Sequence, residues 1–180
     1  MKKISILVIT TLLISSCSST NEVNSPGFVP GCDQLRLLDT AEKSTLMPCL
    51  DGAASFNFHQ LKGPMVINVW GSWCEGCKEE MPYFVDLYET QLFKSGQIQL
   101  LGINVEESSK EDAIDYIKQS GMSWPHLEDL DGISKSIFGP GVPVTWFINE
   151  EGENVATKIG AYTSKVQLFE QVEKAFGIKL

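Results

Sequence analysis

After residue 50, apolar and polar positions follow two periodicities that predict a mixture of strands and helices. The mostly apolar run from Pro64 to Trp70 is typical of a central strand covered on both faces. The predicted strands are 55–61, 64–70, 97–105, 144–148 and 155–159, and the turn 149–154 joins the last two as a hairpin. The predicted helices run from 74 to about 93, from 109 to 121 and from 164 to 176. From the strand 64–70 onward, the order β, α, β, α, β, β, α favours an α/β fold with a mixed central sheet and helices on both faces.

Short local signals mark where these elements begin, bend and end. Ser109 and Ser164 each open a capping-box pattern before a helix. Pro82 falls inside the first predicted helix and should kink it, because proline cannot donate a backbone hydrogen bond. The dipeptide Trp124-Pro125 before His126 indicates a loop.

The aromatic and histidine positions give a first prediction of what is buried. We expect Trp70 to lie in the core and Trp73 to lie at the rim beside the cysteines. His59 and His126 have no cysteine or histidine at metal-ligand spacing. They are therefore interpreted as structural or surface residues, and no metal ligand is predicted.

The first residues of the chain have the pattern of an export signal. Met1 to Lys3 is charged, and the mostly apolar run of eleven residues from Ile4 to Ile14 is too short to span a bilayer. The run ends in Ser15-Ser16-Cys17, which resembles a bacterial lipobox and predicts lipidation of Cys17. The alternative is an ordinary secretory signal that is cleaved near Ser16. The predicted divisions are a signal peptide at 1–16, a lipidated cysteine with a flexible tether at 17–30, and one domain at 31–180.

The charge of the chain excludes some classes of partner. The 180 residues carry a formal net charge of −9, and removal of residues 1–16 would take away Lys2 and Lys3 and leave −11. An acidic protein is a poor match for nucleic acid or for electrostatic binding to anionic lipid. A lipid anchor would instead attach the protein to the outer face of the cell membrane.

Cys74 and Cys77 form the most informative pair in the chain. If Cys74 opens a helix, the two residues lie one turn apart with Cα atoms about 5–6 Å from each other, as a disulfide requires. Free N–H groups in the first turn of a helix stabilise a thiolate on the leading cysteine. The spacing therefore predicts a disulfide that opens and closes reversibly.

Cys32 and Cys49 enclose a 16-residue segment ahead of the main fold. Export to an oxidising compartment favours a structural disulfide between them, worth about 3 kcal/mol by chain entropy. The alternative is a second redox pair, although neither cysteine opens a recognisable helix.

Two segments of the chain resemble a known family. The sequence WCEGCK at 73–78, with Glu80 and Pro82, resembles the thioredoxin superfamily and most closely its membrane-attached TlpA/ResA/CcmG branch. The sequence GVPVTWFI at 141–148 is similar to the cis-proline segment of that branch. The resemblance covers about residues 50–178 and implies a thioredoxin-like fold; it does not assign Cys32 and Cys49.

The motif implies a division of labour among its residues. Cys74 is expected to be the nucleophile, and Cys77 resolves the mixed disulfide. Glu80 lies one helical turn after Cys77, where a partly buried carboxylate with a raised pKa could accept its proton. The alternative for Glu80 is a solvated helix charge. Thioredoxin has a buried aspartate six residues before the first cysteine, whereas this chain has Asn68, which cannot titrate.

The remaining site residues are predicted to contact substrate or to tune the cysteines. The resemblance implies a cis bond before Pro143, although most X–Pro bonds are trans. Such a bond would leave the Val142 backbone free to pair with an extended peptide. Trp73 and the dipeptide Glu75-Gly76 complete the predicted contact surface. We expect the charge of Glu75 to oppose the Cys74 thiolate and to make the couple more reducing, unless Glu75 is simply exposed and screened.

The resemblance implies an exported thiol–disulfide oxidoreductase that acts as a reductase and needs no bound cofactor. Its first candidate substrate is apocytochrome c, and its electrons would come from a membrane thiol donor of the CcdA/DsbD type. A copper carrier that uses Cys74 and Cys77 is an alternative, since two thiolates suit Cu(I). An oxidant or isomerase of secreted proteins is another, and a midpoint potential distinguishes it.

Overall fold

The computed structural model describes residues 29–180. The predictions for the signal peptide at 1–16, for Cys17 and for the tether up to residue 28 lie outside the described residues. Among residues 29–180, no helix combines the length and the apolar character needed to cross a bilayer.

A mixed sheet forms the centre of the fold, as the sequence predicted, and it has five strands. Its strands are β3 (Met65–Trp70), β4 (Gln99–Val105), β5 (His126–Asp129), β6 (Val144–Ile148) and β7 (Asn154–Ile159), and a separate hairpin consists of β1 (Leu46–Pro48) and β2 (Ser55–Asn57). The order in the sheet is β5-β4-β3-β6-β7. β3, β4 and β5 run parallel, whereas β6 is antiparallel to both β3 and β7.

Residues 29–180 contain three longer α-helices and two short ones, of which all but the last connect strands of the sheet. They are α1 (Glu75–Tyr88), α2 (Gln91–Lys94), α3 (Lys110–Ser120), α4 (Ser134–Phe138) and α5 (Lys165–Phe176). The predicted caps are confirmed, because the side chains of Ser109 and Ser164 accept hydrogen bonds from the backbone three residues on. Gly121 and Gly177 end their helices in the left-handed conformation that glycine adopts at least cost.

The single helix predicted from 74 to about 93 is wrong at its end. α1 stops at Tyr88, and Thr90 adopts an extended conformation that caps the separate helix α2. The Thr90 hydroxyl donates to the Leu87 carbonyl at 2.8 Å, which occupies one acceptor in the last turn of α1. Pro82 lies inside α1, which continues past it to Tyr88.

Two other predictions of local structure need correction. The strand predicted at 55–61 ends at Asn57, because the Asn57 side chain accepts the N–H of His59 at 3.2 Å and starts a 3-10 turn at Phe58–Gln60. Trp124 and Pro125 lie in a loop as predicted, but the strand β5, which begins directly after them at His126 and pairs with β4 from Gly102 onward, was missed. Four residues after a proline were too few to give a periodic signal.

Alternate residues of β3 face two different cores. On one face, Val66 and Trp70 pack with buried residues of α1, α3 and α5. On the other face, Met65, Ile67 and Val69 pack under α4 and the segment 32–61. Helices therefore cover both faces, but unequally, and the N-terminal segment completes the second layer.

The disulfide between Cys32 and Cys49 lies inside this second core. Cys49 forms an isolated bridge with Leu127 of β5, and the Leu50 N–H donates to the His126 carbonyl at 2.8 Å. The expectation that the pair lies ahead of the main fold is thus wrong. The pair fastens the layer that covers the β5 edge of the sheet.

Buried aromatic residues surround His126 on the first face. Trp70 is fully buried and Trp73 is 51% exposed, so the predictions for both are confirmed. The Trp70 indole N–H donates to Nδ1 of His126 at 3.3 Å. Complete burial lowers the pKa of His126 to about 3.

We expect the double substitution Cys32→Ala with Cys49→Ala to lower the free energy of unfolding by about 3 kcal/mol, because the unfolded chain regains loop entropy. Urea unfolding measures the loss. The midpoint potential of Cys74–Cys77 is the control and should stay unchanged; a shifted potential would mean that the two pairs communicate.

The buried His126 predicts a loss of stability in acid. As the pH falls from 6.5 towards 3, His126 binds a proton in the unfolded chain but stays neutral in the folded protein. The free energy of unfolding should therefore fall by about 1.4 kcal/mol per pH unit relative to the variant His126→Gln. His59→Gln is the matched control and should keep the wild-type slope. A ring-nitrogen NMR titration of the wild type that finds His126 protonated near pH 6.5 would contradict the burial argument.

Candidate active site

Cys74 and Cys77 lie where the prediction placed them, at the start of α1. Cys74 is the N-cap of the helix, and its Sγ accepts the Cys77 N–H at 3.1 Å. The two are joined as a disulfide with Cα atoms 5.3 Å apart. Cys74 is 6% exposed and Cys77 is fully buried, so only the Cys74 sulfur can be reached from outside.

The loop that leads into Cys74 is held by a residue that the sequence analysis missed. Glu107 follows β4, and its carboxylate accepts the N–H and the hydroxyl of Ser72, both at 2.6 Å. It also accepts the side-chain amide of Asn104 at 2.7 Å. The carboxyl ends of the parallel strands β3 and β4 meet at one edge of the sheet, and an acid just after β4 was the available signal.

The Trp73 indole fixes the same loop from the outside. Its N–H donates to the Val105 carbonyl at 3.3 Å while half of the side chain remains exposed. An aromatic side chain that is anchored at one end and exposed beside the Cys74 sulfur can contact a docked peptide.

Glu80 is completely buried behind the disulfide, which argues against the alternative of a solvated helix charge. Its carboxylate accepts the Asn68 amide at 2.9 Å and the Tyr162 N–H at 2.9 Å. Burial raises the pKa of Glu80 to about 7, and these two hydrogen bonds and the charge of Lys158 oppose that rise. A carboxyl group with this pKa can take up and release a proton near neutral pH.

Asn68 can serve both protonation states of Glu80. In the present orientation its Nδ2 donates to the carboxylate, and its own buried Oδ1 has no hydrogen-bond partner among the described residues. A rotated amide would present Oδ1 as an acceptor for a protonated Glu80. Asn68, which replaces the titrating aspartate of thioredoxin, therefore stays uncharged and can hydrogen-bond to either protonation state of Glu80.

Pro143 lies against the first turn of α1. The Val142–Pro143 bond is cis, and Pro143 is buried at the start of β6. A Cβ atom on Gly76 would stand 3.5 Å from the Pro143 ring and 3.5 Å from the Cβ of Ala161. The half-buried Val142 precedes the proline on the same rim. The segment 141–143 and the cysteine motif therefore form one continuous surface.

Glu75 occupies a different environment from the one expected. Its side chain is 80% exposed, and its carboxylate lies 3.7 Å from the Lys78 ammonium. An exposed and paired charge is screened by water and contributes little to the thiolate equilibrium. The geometry thus favours the alternative for Glu75, and the buried negative charge closest along the helix to Cys77 is that of Glu80.

The usual requirement for a metal site is three or more protein ligands. Between residues 29 and 180, histidine, cysteine and acidic side chains do not gather in any group of three or more that could hold an ion.

Comparisons with known proteins agree with this geometry. The model of the AhpC/TSA family matches residues 39–163. The thiol–disulfide oxidoreductase ResA of Bacillus subtilis (strain 168) is 35% identical over 108 residues, which cover 59% of each chain. Sporulation thiol–disulfide oxidoreductase A of the same organism is 31% identical over 112 residues, 61% of this chain and 66% of the relative. The chain thus aligns with about three fifths of the first of these relatives.

A solved structure extends the likeness to three dimensions. The crystal structure of StoA from Bacillus subtilis superposes with a TM-score of 0.55 at 25% identity, covering 70% of this chain and 93% of the solved one. The expected thioredoxin-like fold is therefore confirmed.

The raised pKa of Glu80 predicts a second pH dependence of stability, opposite in sign to that of His126. The folded protein retains a proton on Glu80 up to about pH 7, whereas the unfolded chain releases it near 4.5. The associated stability is complete below pH 4.5 and is lost by about 3 kcal/mol as the pH rises to 7. Urea unfolding of oxidised Glu80→Gln should lack this loss, since the new amide can pair with a rotated Asn68. Glu79→Gln, at the neighbouring exposed position, is the control; equal slopes in both variants would contradict the assignment.

Proposed function

The chain belongs to the AhpC/TSA family, and on that premise we propose that it is a thiol–disulfide oxidoreductase that reduces disulfides in other proteins. The observation that carries the proposal is the disulfide at the N-terminus of α1, in which Cys74 keeps a small exposed area and Cys77 is fully buried one helical turn before the buried Glu80. This arrangement supplies an attacking sulfur, a resolving sulfur and a proton acceptor in one helical turn and a half.

The proposed cycle begins with the reduced pair. The Cys74 thiolate attacks one sulfur of a substrate disulfide, forms a mixed disulfide and releases the other substrate sulfur as a thiolate. Cys77 gives its proton to Glu80 and attacks the Cys74 sulfur, which restores the Cys74–Cys77 bond. The second substrate sulfur leaves, so two electrons pass from the protein to the substrate.

Substrate recognition is proposed to use the rim around Cys74. Trp73 offers an apolar face, and the backbone at Val142, before the cis Pro143, can pair with an extended segment. Glu75 and Gly76 lie on the same rim, where a small residue lets the substrate approach the Cys74 sulfur. Main-chain pairing tolerates many sequences, so we propose oxidised proteins as the substrate class.

The direction of transfer is proposed to be reductive. A couple is strongly oxidising when its reduced, thiolate form is stabilised. Here the screened Glu75 contributes little, but the buried Glu80 adds negative charge behind Cys77 as it ionises and disfavours the thiolates. The relatives named as oxidoreductases support the chemistry but do not decide its direction.

The proposal also includes a specific substrate, an electron donor and a location in the cell. Apocytochrome c is the first candidate substrate, because its haem-attachment cysteines must be reduced, and a membrane donor of the CcdA/DsbD type would return electrons to Cys74–Cys77. The export signal at 1–16 and acylation of Cys17 would place the protein on the outer face of the cell membrane. Globomycin treatment of cells, followed by mass measurement, would distinguish acylation from simple cleavage near Ser16.

We expect Cys74→Ser to abolish reduction of insulin by a thiol donor, because Cys77 has no exposed surface from which to attack. Cys77→Ser should instead accumulate the mixed disulfide on Cys74, visible by mass spectrometry. The double alanine variant of Cys32 and Cys49 is the control and should retain turnover. Normal turnover by Cys77→Ser would exclude the two-sulfur cycle.

The midpoint potential of Cys74–Cys77 decides the direction. Equilibration with glutathione should give a value well below about −200 mV, in the range of reducing couples. A value of about −180 mV or higher would favour the oxidant or isomerase alternative.

A further inference from the structure

Lys158 holds a loop of the site through three hydrogen bonds. It lies on β7, and its ammonium group donates to the carbonyls of Ile159 at 2.9 Å, Gly160 at 2.9 Å and Ala161 at 3.2 Å. Three donors are all that an ammonium group has. The charged head also stands 5.5 Å from the ring centre of Tyr162. Because the half-buried Lys158 donates all three hydrogen bonds to consecutive carbonyls, it fixes the backbone conformation of residues 159–161.

The segment 159–162, which we call the clamp loop, touches three parts of the site. Its Gly160 N–H donates to the Pro143 carbonyl at 2.9 Å, and its Ala161 side chain lies beside Gly76. Its Tyr162 N–H donates to the Glu80 carboxylate at 2.9 Å. The turn requires φ of +79° at Gly160, a conformation that other residues adopt only with strain.

The polar and titratable groups around Glu80 come from β3, α1, α3 and the clamp loop. Asn68 reaches it from β3, Cys77 precedes it on α1, and Tyr162 binds it from the clamp loop. Tyr116 of α3 also senses its charge. Burial raises the pKa values of both tyrosines above their ordinary value of 10, so neither titrates near neutral pH. Lys158 is the cation whose charge favours the ionised form of Glu80.

We propose that Lys158 is a positioning residue for the proton acceptor: it fixes the clamp loop that donates to Glu80, and its charge favours the carboxylate. The inference rests on the proposed role of Glu80 in accepting the Cys77 proton. It adds Lys158, 78 positions further along the chain, as a residue that affects the position and the ionisation of Glu80. With the ammonium group in place, a larger fraction of Glu80 is ionised at a given pH and therefore available to accept the Cys77 proton.

A first test uses the oxidised wild-type protein, so that no thiol titrates. The ¹⁵Nζ resonance of Lys158 should show an inflection at the pH where ¹³Cδ of Glu80 titrates, near 7. Glu80→Gln should remove that inflection. A Lys158 resonance that does not respond to the Glu80 titration would overturn the charge coupling.

A second test compares substitutions of the lysine. Lys158→Met removes the charge and the three hydrogen bonds, and should raise the titration midpoint of Glu80 by about one unit, a tenfold change in its ionisation constant. Amide hydrogen exchange at Tyr162 should accelerate at least several-fold, since the loop is released. Lys174→Met on α5 removes an equal charge from an exposed position and should change neither quantity.

The charge-retaining variant Lys158→Arg separates the two contributions. A planar guanidinium keeps the charge but cannot aim its donors at three converging carbonyls. The Glu80 titration should therefore stay close to that of the wild type while Tyr162 exchange still accelerates. If the arginine variant titrates like Lys158→Met, the charge contribution is excluded.

These readouts are independent of turnover, so the two proposals can fail separately. If Lys158→Met shifts the Glu80 titration but the wild type reduces no protein disulfide, the coupling between Lys158 and Glu80 stands and the proposed function falls. If the wild type is an active reductase but neither Glu80 nor the Tyr162 amide responds to Lys158→Met, only the positioning role falls. With both intact, the pH of half-maximal mixed-disulfide resolution should rise by the same amount as the Glu80 midpoint.

Discussion

A carboxyl group without contact to water is the constraint on which this site depends. Glu80 lies on the first turns of α1, and burying it in ionised form costs more than two hydrogen bonds return. The Asn68 amide of β3, the Tyr162 N–H of the clamp loop and the charge of Lys158 offset part of that cost. The balance among them leaves the pKa of Glu80 near neutral, one helical turn after Cys77.

The same burial changes how the electrostatics of the cysteine motif are understood. The acid between the cysteines, Glu75, is conspicuous in sequence but is exposed and paired with Lys78. The acid that follows the motif is sealed from solvent, where a charge acts over a lower dielectric and is screened less by salt. Burial, rather than distance along the chain, therefore decides which carboxylate affects the sulfurs.

The two faces of the sheet are built by different means. Helices α1, α3 and α5 cover the face that carries the active cysteines. Among residues 29–180, the five-residue helix α4 and the segment 32–61 cover the opposite face. A short segment without long helices gains little cooperative stability of its own. The disulfide between Cys32 and Cys49 compensates by restricting the unfolded chain, and it leaves the redox pair on the other layer.

The sequence by itself determined the strands β3, β4, β6 and β7, the helix caps at Ser109 and Ser164, and the spacing that places Cys74, Cys77 and Glu80 on one helix face. These features depend on neighbours within one or two turns, which periodicity reports directly. Only the tertiary structure decided that Glu80 is buried, that Glu107 holds the loop before Cys74, and that Lys158 reaches the clamp loop behind the site. Each depends on segments that are distant in sequence and meet only in the folded protein. Burial and screening of a charge depend on those tertiary contacts and not on the local sequence.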